Sequence, residues 1–176
     1  MRSDRGKNLL LYHFLVFIFG FASILGALIS VKALPLVIYR MVIASIGLAV
    51  FFVLFHPTYF RLHRSMWGKV ILGGIIIGTH WVTFFYAIKV AGVSLALSMM
   101  ATGAIITAFL DPIFSKRKLL GYEVFFGGLT AVGIGIIYQA EFEHLIGISV
   151  ALFSAFLSAL FTMLNGHMVK SARPIT

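Results

Sequence analysis

Cysteine is absent from this sequence, and charged residues are scarce. The chain has 176 residues, of which 11% are charged and 61% are hydrophobic, and its mean hydropathy is +1.06. The absence of cysteine excludes structural disulfides and thiolate metal sites. So few charged residues cannot cover the surface of a water-soluble globule, and the composition therefore predicts an integral membrane protein.

The motifs of soluble enzymes are also absent. The chain has no Walker-type glycine loop, no H-E-x-x-H pair, no paired intramembrane carboxylates and no suitably spaced Ser-His-Asp set. His56 and His63 flank one short loop, but no acid stands beside them to complete a metal site. The sequence therefore predicts no catalytic residue, no metal site and no cofactor. An intramembrane enzyme acting through His80 is an alternative hypothesis.

Six apolar runs of 20 to 25 residues follow one another along the chain. At a rise of about 1.5 Å per residue, each run is long enough to cross a hydrocarbon core of about 30 Å as a helix. The alternation of period two that is typical of strands is absent. The sequence thus predicts an all-α, polytopic transmembrane bundle of six helices, with spans over residues 9–31, 34–55, 67–91, 93–114, 121–140 and 145–168.

The basic residues indicate how these helices are oriented. Eleven of the 14 lysines and arginines fall in segments 1–8, 61–69, 116–118 and 170–173, which alternate with the other loops and are therefore expected in the cytoplasm. We accordingly predict that the N-terminal segment 1–8 and the tail 169–176 are cytoplasmic, in a multi-pass protein of the cytoplasmic (inner) membrane. Because the basic residues are spread over separate loops, the net charge of +9 does not predict binding to nucleic acid.

Small residues at four-residue spacing predict close contacts between helices. They occur at Gly74 and Gly78, at Gly127, Ala131 and Gly135, and at Ser154, Ser158 and Thr162. The joins at 31–34 and 91–93 are so short that the helices on either side of each must form tight antiparallel hairpins. Together these features predict a compact bundle.

Besides Lys69 at the cytoplasmic start of the third span, two basic residues fall inside the predicted spans, where an ionisable group near the bilayer centre costs about 2.5 to 3.5 kcal/mol. Arg40 lies roughly 9 Å below the outer end of the second span, and Lys89 lies at a similar level on the third. Together they suggest a mouth that attracts an anionic substrate group. Alternatively, Lys89 snorkels to the outer headgroups, which we favour, and Arg40 binds backbone carbonyls or Glu141 or Glu143.

His80 lies near the centre of the third span. It is positioned either to relay a proton or hydrogen-bond a substrate, or to bond a Ser or Thr across a helix interface. Thr79, Thr83 and Tyr86 recur at i, i+4 and i+7 and therefore share one helix face. We expect that face to line a wet cavity beside Trp81.

The fourth span adds polar groups of its own. Thr102 lies near its middle, whereas Asp111 lies at the cytoplasmic boundary beside the basic run 116–118, where we expect a local ion pair. The candidate substrate-binding set is Arg40, His80, Trp81, Thr83, Tyr86 and Thr102.

Four segments carry a resemblance to a known family: VIYR at 37–40, HWVTFFYAIK at 80–89, VSLA at 93–96 and LDPIF at 110–114, the last just before a basic run. In the order of these four segments, the chain resembles the EamA-like branch of the drug/metabolite transporter superfamily. It departs from many relatives in having Gly103 where they carry a proline and Asp111 where glutamate is commoner.

The resemblance implies a secondary transporter of small metabolites, such as amino acids or related polar and anionic compounds, that works by alternating access between two inverted five-helix repeats. Ten helices need nearly twice this length, so the chain looks truncated, with one full repeat at 9–140 and the first helix of a second at 145–168. The implied partners are a small-molecule substrate, the lipid bilayer, a proton or ion as coupling species, and a homodimer mate or a missing second repeat. The alternative is a non-transporting membrane scaffold or a half-transporter that assembles with a partner.

Overall fold

The computed structural model describes residues 2–55 and 64–169 of the chain. Six α-helices make up nearly all of this part, joined by short connections that include 3-10 turns at Arg64–Met66 and Phe142–His144, and no strand occurs within it. The helices are α1 (Arg2–Leu28), α2 (Ala33–Phe55), α3 (Trp67–Ala101), α4 (Gly103–Ser115), α5 (Gly121–Ala140) and α6 (Leu145–Val169). The predicted all-helical fold is confirmed.

Five helical stretches of the described chain are long and apolar enough to cross a membrane. They are Gly6–Leu28, Ala33–Phe55, Trp67–Ser115, Gly121–Ala140 and Phe142–Met168. Apolar runs of this length become helices in lipid because only a helix satisfies every backbone N–H and C=O within its own segment. The protein is therefore a multi-pass membrane protein, while the count of six spans stays a prediction.

The longest stretch, Trp67–Ser115, is not straight. Its 49 residues would extend over roughly 73 Å as one helix, more than twice the thickness of a hydrocarbon core. Gly92 interrupts α3 with φ 84° and ψ 164°, a conformation that is essentially restricted to glycine. The chain therefore folds at the predicted join, into a first arm (67–91) and a second arm (93–101).

The second arm runs on into α4 with little disturbance. Thr102 separates the two helices but keeps right-handed helical angles, φ −64° and ψ −19°, and its carbonyl accepts the amide of Ile106 at 3.0 Å. We call the first arm, the second arm and α4 together the α3 hairpin. It ends at Lys116, whose left-handed conformation (φ 54°) stops α4.

Helix α6 packs against both sides of the α3 hairpin. It runs antiparallel to the first arm, because Gly147 meets Ala91 near the fold, whereas Leu164 meets Gly73 at the far end. It also packs against α4, where Gly103 faces the carbonyl of Ala155 and the ring of Phe114 lies 6.0 Å from that of His167. Helix α6 is consequently the most buried of the candidate spans.

A row of small residues makes this contact possible. Gly147, Ala151, Ala155 and Ala159 recur every four residues along α6 and are all buried. Of the row predicted on this helix, Ser154 is buried and Ser158 is half-buried, whereas Thr162 is exposed and donates to the carbonyl of Ser158 within α6.

The other predicted rows contribute single contacts. A Cβ at Gly127 would lie 2.4 Å from the Phe109 ring, so Gly127 lets α5 approach α4. Gly78 faces Met41 of α2, whereas neither Gly74 nor Gly135 has a neighbour within 4 Å of a Cβ.

The C-terminal end of helix α1 contacts the first arm. A Cβ at Gly26 would lie 2.2 Å from the buried ring of Phe85, so only glycine permits this approach. Lys89 donates from Nζ to the carbonyl of Ala27, at 3.2 Å, and to that of Ile29. These bonds place the Lys89 ammonium group at the C-terminal end of α1, and the expectation that it snorkels to the headgroups stays a prediction. Its ammonium group satisfies the last carbonyls of α1 and opposes that helix's dipole.

The expected ion pair of Asp111 forms with Arg117 and extends to a second acid. Arg117 donates to Asp111 at 2.6 Å and to Glu123 at 2.7 Å, and Glu123 also accepts the amide of Leu120 at the start of α5. These hydrogen bonds, first that of Glu123 and then that of Asp111, raise the pKa of the Arg117 guanidinium. The cluster fixes the turn between α4 and α5.

Some sequence predictions lie outside the described residues. They concern His56, His63 and the basic residues Arg61, Lys170 and Arg173, together with most of the tail 169–176.

The contact between Gly147 and Ala91 makes a direct prediction. Gly147→Ala places a methyl group 2.4 Å from the Cβ of Ala91, which cannot move without shifting α3, and we expect the free energy of unfolding to fall by about 1 to 3 kcal/mol. The matched control is Gly128→Ala on α5, which meets nothing within 4 Å and should stay within about 1 kcal/mol of wild type. Thermal unfolding in detergent or nanodiscs measures both, and equal stability of the two variants contradicts the packing described.

Candidate functional site

The first arm of α3 carries most of the predicted site residues, and they point to different neighbours. His80 faces α6, while Trp81, one residue further along the helix, faces α2. Thr83 and Tyr86 lie roughly 160° and 140° around the helix from Trp81, at about 100° per residue. The arm therefore presents three separate polar faces rather than one.

On the α6 face, His80 and Ser154 form a reciprocal contact. Nδ1 of His80 lies 2.9 Å from both the carbonyl oxygen and Oγ of Ser154, and Oγ of Ser154 donates to the carbonyl of His80 at 2.8 Å. Both residues are buried, Ser154 completely. The interpretation of His80 as a group bonding a serine across a helix interface is thus realised, and it joins the middle of α3 to the middle of α6.

The imidazole ring is also fixed in its plane. It stacks on the ring of Phe84, one turn further along α3, with centroids 6.1 Å apart and planes inclined by 14°. A hydrogen bond on one side and an aromatic face on the other leave the ring little freedom to rotate.

On the α2 face, Arg40 rests on two aromatic rings. Its guanidinium carbon lies 5.0 Å from the centroid of Phe85 and 5.9 Å from that of Trp81. Such contacts contribute about 0.5 to 2 kcal/mol, depending on how far the cation is removed from water. Gly78 also faces Met41 on the same two helices.

Arg40 forms no ion pair or hydrogen bond with any residue in the described ranges, Glu141 and Glu143 included. Its side chain is exposed on the surface of the helices. The guanidinium group thus keeps five N–H donors that described protein groups leave unused.

The third face holds Thr79, Thr83 and Tyr86. Tyr86 is 44% exposed, but the threonine hydroxyls bond to α3 itself: Thr79 to the carbonyl of Ile75 at 2.8 Å, and Thr83 to those of Thr79 and His80 at 2.9 Å. These three residues do share a face, as predicted, but Trp81 is not part of it.

Thr102 lies apart from all of these, at the junction of α3 and α4. It is buried, and its hydroxyl donates to the carbonyl of Met99 at 2.6 Å. The structure therefore brings Arg40 and Trp81 together and holds His80 against α6, whereas the hydroxyls of Thr83 and Thr102 are bonded to carbonyls of α3.

Two residues contribute to the site beyond those that the sequence predicts for it. Phe85 is the ring closest to Arg40, and Ser154, which the sequence predicts only as a packing residue, holds His80. Neither contact is visible in one sequence, since each depends on how two helices cross. In the described chain, no cluster of three His, Asp or Glu side chains is placed to hold a metal ion.

An apolar groove also runs along α1, lined by Phe14, Phe17, Ile18, Phe21, Ala22 and Leu25. It contains no charged side chain, so it suits hydrocarbon chains of lipid rather than a polar metabolite.

Five apolar helical stretches long enough to cross a membrane define a multi-pass membrane protein, and a cation within one of them that no described acid neutralises is typical of a transport pathway. A family model described as the EamA-like transporter family matches residues 7–139, about three quarters of the chain. The chain belongs to this family, as its sequence resemblance predicts. Searches of curated proteins and of solved structures find no significant match.

The contact between His80 and Ser154 predicts an unequal effect of two serine substitutions on α6. Ser154→Ala removes the hydroxyl that bonds both Nδ1 and the carbonyl of His80, and should lower the free energy of unfolding by about 1 kcal/mol, as is typical of hydrogen bonds between membrane helices. Ser158→Ala, one turn away on the same helix, serves as the control and should change stability little. A larger loss for Ser158→Ala in thermal unfolding contradicts this assignment.

Proposed function

We propose that the protein is a secondary transporter of small metabolites that carry an anionic group, such as amino acids and related polar compounds. The observation that carries this proposal is Arg40, a cation about 10 Å along the candidate span α2 that no described acid neutralises. The family match supports the transporter class, and the chemistry of Arg40 supports the anionic group.

Electrostatics favours an anion at this position. Arginine inside a span costs a few kcal/mol, and the contacts with Phe85 and Trp81 offset only part of that cost. A planar carboxylate matches the fork of the guanidinium group and accepts two N–H bonds at once. Substrate binding would therefore lower the cost of holding Arg40 in the membrane, and Trp81 would flank the bound group.

The remaining predicted residues take different parts in this proposal. Tyr86 and Thr83, on the opposite face of the first arm, line the substrate path at another stage of the cycle than Arg40. Thr102 lies at the junction of α3 and α4, where it permits bending of the hairpin. The hydroxyl of each threonine can exchange its bond within the helix for one to substrate.

Topology completes the proposal. The α3 hairpin crosses the membrane twice, which gives six spans in all, with both termini in the cytoplasm and the protein in the cytoplasmic (inner) membrane. Residues 9–140 form one repeat, and residues 145–168 form the first helix of a second repeat. Transport proceeds by rocking of one repeat against the other. The fold at Gly92 and the distribution of basic residues support this arrangement.

A half-transporter that assembles with a second unit is the alternative. The exposed Tyr86 on the face of the first arm opposite α2 favours it, since a partner would have to enclose that side of the path. Transport that rises with the square of the protein-to-lipid ratio at low ratios would support assembly, whereas a linear rise supports action by one chain.

Substitution of Arg40 tests the proposal. In proteoliposomes supplied with a panel of radiolabelled amino acids and small organic acids, we expect Arg40→Ala to reduce uptake of the transported compound at least tenfold. Loss of about 1.4 kcal/mol of substrate binding suffices for that change. Arg40→Lys keeps the charge but not the bidentate fork, and should retain an intermediate rate.

The control is Lys32→Ala, which removes a cation from the connection between α1 and α2 and should transport like wild type. Thermal unfolding establishes that each variant is folded. Equal uptake by wild type and folded Arg40→Ala removes Arg40 from the mechanism.

A further inference from the structure

The hydrogen bonds of His80 determine which ring nitrogen carries the proton. Nδ1 lies 2.9 Å from the backbone carbonyl oxygen of Ser154, and a carbonyl oxygen can only accept. Nδ1 must therefore be protonated and donate. In the neutral ring the lone pair then belongs to Nε2, which is the only nitrogen left to take up a second proton.

Nε2 itself is open. It forms no hydrogen bond with a described residue, and the described part of the chain has no enclosed polar side-chain atom without a partner, so Nε2 is not enclosed. A proton can thus join or leave Nε2 while Nδ1 keeps its bond to Ser154 and the ring keeps its stack on Phe84. Protonation of His80 does not require the contact between α3 and α6 to break.

We propose that Nε2 of His80 is the proton-binding atom through which the transporter couples substrate movement to a proton gradient. This inference rests on the proposed function and adds to it the coupling species and the atom that holds it. Nε2 takes a proton from water on one side of the membrane, becoming an imidazolium of charge +1, and releases the same proton to water on the other side. No electrons or other groups move.

The charges around His80 suit this role. Helix α6 has no titratable side chain from Leu145 to Gly166, and α1 has none from Phe14 to Leu28. The second arm and α4 contribute only Asp111, which is bound to Arg117. Their neutrality leaves His80 without a fixed counter-ion from these helices.

The titratable residues of helix α2 are Tyr39, which is exposed, and Arg40, which lies over Trp81, the residue next to His80 in the sequence. The titratable residues of the first arm itself are Lys69, Tyr86 and Lys89. Lys89 is bound to the end of α1, and Tyr86 lies on a different face. A proton on Nε2 and the charge of Arg40 repel each other, and an anionic substrate bound at Arg40 reduces that repulsion. Proton and substrate binding therefore favour each other.

Nitrogen-15 NMR of the full chain, labelled at histidine in nanodiscs, tests the assignment directly. Its six histidines are told apart by single substitutions. At high pH, we expect His80 to be protonated at Nδ1 with a bare Nε2. Between about pH 9 and about pH 5, Nε2 should gain a proton while the Nδ1 resonance stays of the protonated type. A proton on Nε2 with a bare Nδ1 at high pH, or no titration over this range, overturns the proposal.

Two isosteric variants connect the atom to transport. Asparagine places its amide nitrogen near the position of Nδ1, so His80→Asn keeps a donor toward Ser154 but has nothing at Nε2. Glutamine extends to the position of Nε2 and lacks the donor. In proteoliposomes with trapped pyranine, proton entry on addition of the labelled amino acid mixture should be lost in His80→Asn, although that variant should unfold close to the wild-type temperature. His80→Gln should lose both proton entry and stability.

Proton entry that persists in His80→Asn overturns the proposal. The NMR titration is independent of transport. In Arg40→Ala, Nε2 of His80 should still gain a proton while Nδ1 stays protonated. Failure of the titration with intact Arg40-dependent uptake therefore refutes the proton site alone. An intact titration without uptake by wild type refutes the proposed function instead.

Discussion

The thickness of the bilayer is the constraint on which the rest of this structure depends. A stretch of 49 apolar residues cannot lie within a hydrocarbon core as one straight helix, and Gly92 provides the conformation that lets it fold back. Without that fold, α6 would have no pair of helices to pack against, and the contact between His80 and Ser154 would lose the packing that surrounds it.

The described helices differ in how closely they pack: α6 and the α3 hairpin share many buried contacts, whereas α1 and α2 share few with the rest. Helix α6 lies against both sides of the hairpin through a row of glycine and alanine, and the contact between His80 and Ser154 sets its register. Helices α1 and α2 expose most of their apolar side chains and meet α3 at a few places, among them Gly26, Arg40 and the bond of Lys89 to the end of α1. Elements with few buried contacts are the ones that move at low cost. Arg40 lies on the boundary between these two groups of helices, where relative movement would change access to it.

The helical fold can be predicted from the sequence because lipid imposes simple rules on length and polarity. The sequence predicts both ends of α5 and the position of the fold at Gly92 to the exact residue, because charged loops flank α5 and a very short join marks the fold. The position of Lys89 does not follow, because its partners are backbone carbonyls of α1 and no residue type signals them. The row from Gly147 to Ala159 is as regular in the sequence as the serine row beside it, and only the packing against α3 distinguishes the two.

The candidate site is less predictable, because it depends on how helices cross. Periodicity correctly groups Thr79, Thr83 and Tyr86, yet no one-dimensional pattern indicates that Trp81 faces α2 while His80 faces α6. The pairing of His80 with Ser154 joins residues 74 positions apart, and that distance along the chain is set by the hairpin and α5 together.

The fold at Gly92 is tested most directly by the sides of the membrane on which Lys32 and Lys118 lie. Because the chain has no cysteine, Lys32→Cys, Lys118→Cys and Glu143→Cys each introduce a single reactive thiol. A membrane-impermeant maleimide applied to intact cells should label the thiols at positions 32 and 143, and should label that at position 118 only after permeabilisation. If the stretch between Trp67 and Ser115 crossed the membrane once, the thiols at 32 and 118 would react from the same side, and a hairpin folded at Gly92 would be contradicted.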